Sequence, residues 1–200
     1  MLRVYQTVRR IRTLGPYDRF GLWLQGCERN CPGCISPEAG RMDGGYLADE
    51  DTLAGDILSV PDIEGITVSG GEPFLQAEAL AKLLCRVRRE KDLGVILYTG
   101  YTYEEVAGHP LLRQCDALID GPYIKEADDG RSMRGSSNQR LIHLSERYRG
   151  KIEYGEWGRK TQMAETDRNE VVMVGVPSGH SADFARYLRD FWKGGPDGDH

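Results

Sequence analysis

Long hydrophobic runs are missing from this chain. No stretch of its 200 residues approaches the about 20 apolar residues that a membrane-spanning helix needs. Arginines stand at the N-terminus without an apolar segment behind them, so no signal peptide is expected. The chain therefore reads as cytoplasmic, with no membrane partner. A dominant charge is missing too. Lys and Arg number 26 against 31 Asp and Glu, a net charge of −5. That balance is too mild to point to a strongly charged partner, and no nucleic acid is expected. Internal repeats and low-complexity stretches are absent. Composition is otherwise ordinary, 40% hydrophobic and 28% charged, which rules out disorder of the whole chain.

Cysteine is scarce and unevenly placed. There are five, an odd number, and Cys27, Cys31 and Cys34 fall within eight residues. A secreted disulfide scaffold spreads an even set along its chain. A tight cluster in a cytoplasmic chain points to ligation of a metal or an iron–sulfur cluster instead. Cys85 and Cys115 stand singly in apolar surroundings and are expected in the core.

Alternation of side chains predicts a strand or hairpin over residues 1–25, with a turn at Leu14-Gly15-Pro16-Tyr17. Residues 26–46, rich in Gly, Pro and Cys, are expected to be irregular. Asp49 caps a predicted helix running to about Ser59. Ile63–Val68 reads as a strand that ends in Ser69-Gly70-Gly71-Glu72-Pro73. Gln76 to Glu90 follows as an amphipathic helix, with Leu80, Leu83, Leu84 and Val87 on one face. Gly94–Tyr98 and Asp116–Ile119 read as further strands, ending at Thr99-Gly100 and Asp120-Gly121. Thr102 caps a short helix between them, and Pro110–Gln114 forms a helical turn. This order predicts an α/β fold with a mostly parallel sheet, whose site lies in the loops after the strands. After about Glu146 the pattern changes. Two strands, 152–162 and 170–176, and a helix over 181–193 are expected there, with Phe184, Tyr187, Leu188 and Phe191 facing inward.

The cysteines read Cys27-Glu28-Arg29-Asn30-Cys31-Pro32-Gly33-Cys34. Structural zinc takes four ligands and so do ordinary iron–sulfur clusters, yet no fourth ligand lies nearby. Two readings follow: a cluster with one open iron, or a zinc site completed by a distant residue. Gly70-Gly71-Glu72-Pro73 joins a strand to a helix. Its glycines let a ligand approach the backbone, and Glu72 can accept a hydrogen bond from an amine.

Together these motifs resemble the radical S-adenosylmethionine superfamily. The Pro32-Gly33-Cys34 ending is similar to the small activating enzymes of anaerobic ribonucleotide reductase. So are Tyr98–Glu105, Leu118–Tyr123 and Arg134–Arg140, so that the likeness spans about residues 15–145. The resemblance implies a partial (β/α) barrel over 1–146 with the cluster loop at 26–36; the pattern beyond it reads as a C-terminal β-hairpin plus helix extension over 147–200. It implies a [4Fe-4S] cluster held by Cys27, Cys31 and Cys34, and S-adenosyl-L-methionine held by Gly70, Gly71 and Glu72. Pro73 shapes that turn, Thr99 and Gly100 line the ligand, and Asp120, Ser137 and Asn138 are further candidates. The implied activity is reductive cleavage of S-adenosylmethionine to a 5′-deoxyadenosyl radical, which installs a glycyl radical on a partner enzyme. A reduced flavodoxin or ferredoxin-like protein is the implied electron donor.

Two features depart from that pattern. Ser36 stands where those enzymes commonly carry Asn, and about 55 residues follow the last shared motif. A radical enzyme for another peptide or small molecule, and a zinc-stabilised binding module without catalysis, are the competing readings. Residues 1–34 hold six Arg against one Asp and one Glu, which reads either as a basic face near the cysteines or as an ordinary solvated charged face.

Overall fold

β-branched and aromatic side chains alternate through the first 24 residues and build a hairpin. Its strands β1 (Leu2–Ile11) and β2 (Arg19–Leu24) pair antiparallel, with Thr7 opposite Leu22. The computed structural model describes residues 1–152 and 159–177 of the chain. Next come a helical turn α1 (Pro37–Gly40), strand β3 (Tyr46–Ala48) and helix α2 (Glu50–Leu58). The segment expected to be wholly irregular thus carries a helical turn, and a strand begins at its end. Asp49 caps α2 by accepting the Asp51 and Thr52 N–H groups.

Strand β4 (Gly65–Gly70), a 3-10 turn (Pro73–Gln76), helix α3 (Ala77–Glu90) and strand β5 (Gly94–Tyr98) follow. Then come the short helix α4 (Tyr103–Val106), a 3-10 turn (Pro110–Gln114), β6 (Ala117–Asp120) and β7 (Arg140–His143). Thr102 and Glu105 form a reciprocal capping box on α4. The strands make one seven-stranded sheet in the order β3-β1-β2-β4-β5-β6-β7. The β2, β4, β5 and β6 strands run parallel, and β1, β3 and β7 are antiparallel to their neighbours. The architecture is therefore mixed α/β, and among the described residues no pairing of β3 with β7 closes it into a barrel. No described helix is long and apolar enough to cross a membrane.

One face of the sheet carries Leu22, Ile66, Val68, Val95 and Leu97, buried under Leu53 and Ile57 of α2 and Leu80, Leu83, Leu84 and Val87 of α3. Each such side chain contributes about 1.5–3 kcal/mol through burial. The other face is covered differently. Ile96, Ala117 and Ile119 pack on Tyr148 and Ile152. Fully buried Arg19 sits beside them, donating to Tyr148 Oη and Glu64 Oε2, each at 2.7 Å, and to Thr67 Oγ1 at 2.8 Å.

The chain ends, as described, in a separate hairpin of β8 (Thr161–Glu165) and β9 (Val171–Gly175). Of the predicted strand over 152–162, Thr161 and Gln162 lie in β8, and 153–158 lie outside the described residues, as does the helix expected over 181–193. Val174 packs on Val8, Ile11, Leu14 and Trp23. β3 pairs only with Leu2–Val4. Beyond it, Thr7 of β1 donates to Asp167 Oδ1 at 2.9 Å and accepts the Asp167 N–H at 3.1 Å. The hairpin thus covers the rest of the β1 edge. Val171 is 68% exposed.

Candidate metal-cluster site

The parallel strands place four loops at one end of the sheet. The cysteine loop follows β2, Gly71-Glu72 follows β4, Thr99-Gly100 follows β5, and Gly121-Pro122 follows β6. Side-by-side pairing of parallel strands brings such loops together although they are far apart in sequence. The first two are bonded backbone to backbone. Gly71 N–H donates to Leu24 O at 2.8 Å, and Glu72 N–H to Gly26 O at 2.7 Å. Gly70, at φ 106°, and Gly71 allow that approach, since a Cβ on either would strike the Leu24 or Gly26 backbone. The space beside these glycines is filled by the protein's own backbone, a second reason for the glycine pair besides ligand access.

The three cysteines are free thiols, Cys27 and Cys31 half-buried and Cys34 exposed. Left-handed Asn30 (φ 46°) and Gly33 (φ 77°) turn the loop, and Cys34 N–H closes on Cys31 O at 3.0 Å. Arg29 N–H donates to Cys27 Sγ at 3.4 Å, a contact of the kind that tunes cluster sulfurs. Desolvation pushes the Cys34 thiol up, and the Cys31 and Cys27 sulfurs add to the rise. Among the described residues, no three His, Cys, Asp or Glu side chains gather around a position for one ion. Three thiols on one loop are a donor set that an iron–sulfur cluster could take.

Glu72 is buried and is the hub of the site. Its Oε1 accepts Phe74 N–H at 3.0 Å and the Thr99 hydroxyl at 2.8 Å, and its Oε2 accepts Gly100 N–H at 2.8 Å. Burial raises its pKa against the lowering effect of these bonds and of Arg29. Pro73, also buried, starts the 3-10 turn.

Asp120 and Asn138 sit at the adjoining wall. The fully buried Asp120 carboxylate accepts the Tyr103 N–H at 2.7 Å and Arg140 Nη2 at 2.5 Å. Asn138 is exposed and donates to Pro122 O at 2.7 Å, while the Ser137 N–H reaches Ala127 O. Tyr123 and Lys125 stand 3.5 and 3.4 Å from where a Gly33 Cβ would be, so this loop leans on the cysteine loop.

Cys115 is buried, its thiol pushed up to about 12 by desolvation. Cys85, expected in the core, is only half-buried, because it lies on the flank of α3 beside the Leu84 stripe. Several of the arginines counted toward a basic face have partners of their own. Arg19 is buried on Glu64, Arg10 and Arg12 bond Asp18, and Arg29 turns over Tyr101. Arg29 is the residue at the site that sequence reasoning missed. Its one signal was a long cation set between two cysteines of the motif.

Residues 13–142 match the family model described as "4Fe-4S single cluster domain". The chain belongs to this family. An anaerobic ribonucleoside-triphosphate reductase-activating protein of Vibrio cholerae is 34% identical over 139 residues, covering 64% of this chain and 89% of the relative. The Escherichia coli K12 protein of the same name is 33% identical, covering 65% of this chain and 91% of its own. A pyruvate formate-lyase-activating enzyme of Clostridium pasteurianum is 34% identical over 58% of this chain and 49% of its own length. All three of these relatives are named as activating proteins or enzymes. The family match ends before Tyr148, Ile152 and the β8–β9 hairpin.

Proposed function

We propose that this chain is a radical S-adenosylmethionine activating enzyme that installs a glycyl radical on an anaerobic ribonucleotide reductase. The observation that carries the reading is the direct backbone bonding of the Cys27-x3-Cys31-x2-Cys34 loop to the Gly70-Gly71-Glu72 loop at one end of a parallel sheet. The sheet is then the wall of a partial barrel formed by residues 1–146, with residues 147–200 as its extension. Its relatives named for the reductase, covered over most of their length, support that choice of partner.

In this reading Cys27, Cys31 and Cys34 hold a [4Fe-4S] cluster. When bound and reduced, by a flavodoxin or ferredoxin-like donor, the cluster supplies the electron that splits S-adenosylmethionine into methionine and the 5′-deoxyadenosyl radical that takes a hydrogen atom from the partner's glycine. The chain's own residues position and shield. Glu72 receives the ligand's ammonium through the one Oε2 lone pair that its three donors leave free. Gly70, Gly71 and Pro73 fix the turn that aims it. Thr99 and Gly100 hold the Glu72 carboxylate and line the next wall, and Asp120 and Asn138 brace the loop beyond.

Anaerobic reconstitution tests this. About four iron and four sulfide per chain are expected, with loss of both in Cys27→Ala, Cys31→Ala or Cys34→Ala and retention in Cys115→Ala. The reduced protein should cleave S-adenosylmethionine and give a glycyl-radical signal on added reductase. Stoichiometric zinc without sulfide would refute the reading.

A further inference from the structure

Among the described residues, the buried Nε–H of Arg29 finds no hydrogen-bond partner. A buried donor left unpaired costs about 1–3 kcal/mol, so its retention calls for a reason. The rest of the side chain is well fixed. The guanidinium carbon lies 4.3 Å above the Tyr101 ring, and Nη2 stands 3.6 Å from Glu105. The stem runs across Gly100, where a Cβ would come within 2.5 Å of Arg29 Cδ and 3.0 Å of Nε. The same point is 3.4 Å from Glu72 Oε2. The unpaired cationic N–H and the buried carboxylate therefore both lie against Gly100. No ion pair joins Arg29 to Glu72 among the described residues. Oε2 accepts one bond, from Gly100, and keeps capacity for another.

We infer that Arg29 is the carboxylate-binding residue of the ligand site, set opposite Glu72 so that the pair takes both ends of an α-amino acid zwitterion. The inference rests on the proposed S-adenosylmethionine chemistry and adds to it the residue that reads the methionine carboxylate. A planar guanidinium suits a carboxylate. Stacking on Tyr101 and attraction to Glu105 fix its orientation before the ligand arrives, which lowers the ordering cost on binding. Gly100 is required because any side chain there would displace the Arg29 stem. The arrangement also makes the cluster loop itself a ligand-binding element. Arg29 lies between Cys27 and Cys31, and its own N–H is bonded to the Cys27 sulfur.

The test is anaerobic binding by the cluster-loaded protein of two ligands, S-adenosylmethionine and its decarboxylated analogue, which keeps the ammonium. Arg29→Gln keeps a stem over Gly100, and Arg29→Lys keeps the charge without the fork. Iron content of each variant is measured first. Both variants should bind S-adenosylmethionine about ten- to hundredfold more weakly than the parent protein, Arg29→Gln more so than Arg29→Lys. Both should bind the analogue as the parent does. Comparing each variant with the parent for the same ligand cancels any loss of iron contact in the analogue. Equal weakening for both ligands, or none for either, overturns the assignment while leaving the proposed function standing. Failure of the cluster-loaded parent to bind S-adenosylmethionine overturns the proposed function and the assignment with it.

Discussion

Glu72 Oε2 accepts the Gly100 N–H at 2.8 Å, and this bond ties the loop after β4 to the loop after β5. The other oxygen holds Thr99 and Phe74. One buried carboxylate thus sets the spacing of two loops that the sheet alone only brings near each other.

Replacing Glu72 should therefore cost stability as well as binding. Glu72→Ala leaves the Thr99, Gly100 and Phe74 donors without their acceptor, at about 1–3 kcal/mol for each that stays buried. Chemical denaturation should show a loss of at least about 2 kcal/mol. Anaerobic titration should show weakened S-adenosylmethionine binding while iron content survives. Full stability in the variant would mean that other groups fix the loops.

Locally coded features were legible in the sequence. The Asp49 cap, the Thr102 cap and strand Gly94–Tyr98 all rest on residues within a few positions of each other. Long-range features were not. β3 is three residues long and is a strand because β1 offers it an edge. Tyr148 reads as an ordinary polar-flanked tyrosine, yet it is buried on Arg19 and Glu64, which are remote in sequence. At the site, the cysteine spacing and the glycine pair stood out. The position of Arg29 depends on Tyr101 and Gly100, which a β-strand of another unit delivers, so spacing could not reveal it.

The Arg19 network makes a second prediction. Arg19 bonds Glu64, Tyr148, Thr67 and the Ile66 and Gly94 carbonyls. Arg19→Ala leaves these acceptors buried without their cation and should destabilise by about 3–5 kcal/mol. Tyr148→Phe removes only one hydroxyl and should cost about 1–2 kcal/mol. Urea unfolding of both checks the order. If Tyr148→Phe proved as severe as Arg19→Ala, the hydroxyl rather than the cation would organise the cluster.

Acid stability should depend on Asp18. Its bond to Arg12, helped by Arg10, holds its carboxyl down at about 2. A folded-state value below the ordinary about 3.9 means stability that is present above about pH 4 and lost as pH falls through about 2. Asp18→Asn should flatten the fall in stability across that window without abolishing it, since Glu104 is held at about 2 by Arg140. Glu72 works in the opposite sense. Burial raises it, so its contribution declines as pH rises through its folded value. An unchanged acid limb in Asp18→Asn would show that the Arg12 pair is too exposed to matter.

The last prediction concerns Arg159, just before β8. Its side chain is 5% exposed. It donates to Asp128 Oδ2, Gly135 O and Pro177 O, each at 3.0 Å, and to the Arg131 and Arg134 carbonyls at 3.3 Å. One guanidinium thus fastens the 128–135 segment to the C-terminal hairpin. That segment continues from Tyr123 and Lys125, which lean on Gly33 between the second and third cysteines. The extension is in this way linked to the cover of the cluster loop without touching a cysteine. Arg159→Ala should leave the hairpin packed through Val174 and Asp167, and the reconstituted iron content should equal that of the parent protein. Iron loss to an added chelator should be several-fold faster, because the cover over Gly33 opens more often. Arg159→Lys should not restore the rate, since an ammonium cannot reach five acceptors at once. Equal rates in parent and alanine variant would show that the 121–139 loop holds its place without the extension, and the hairpin would then serve only to close the edge of β1.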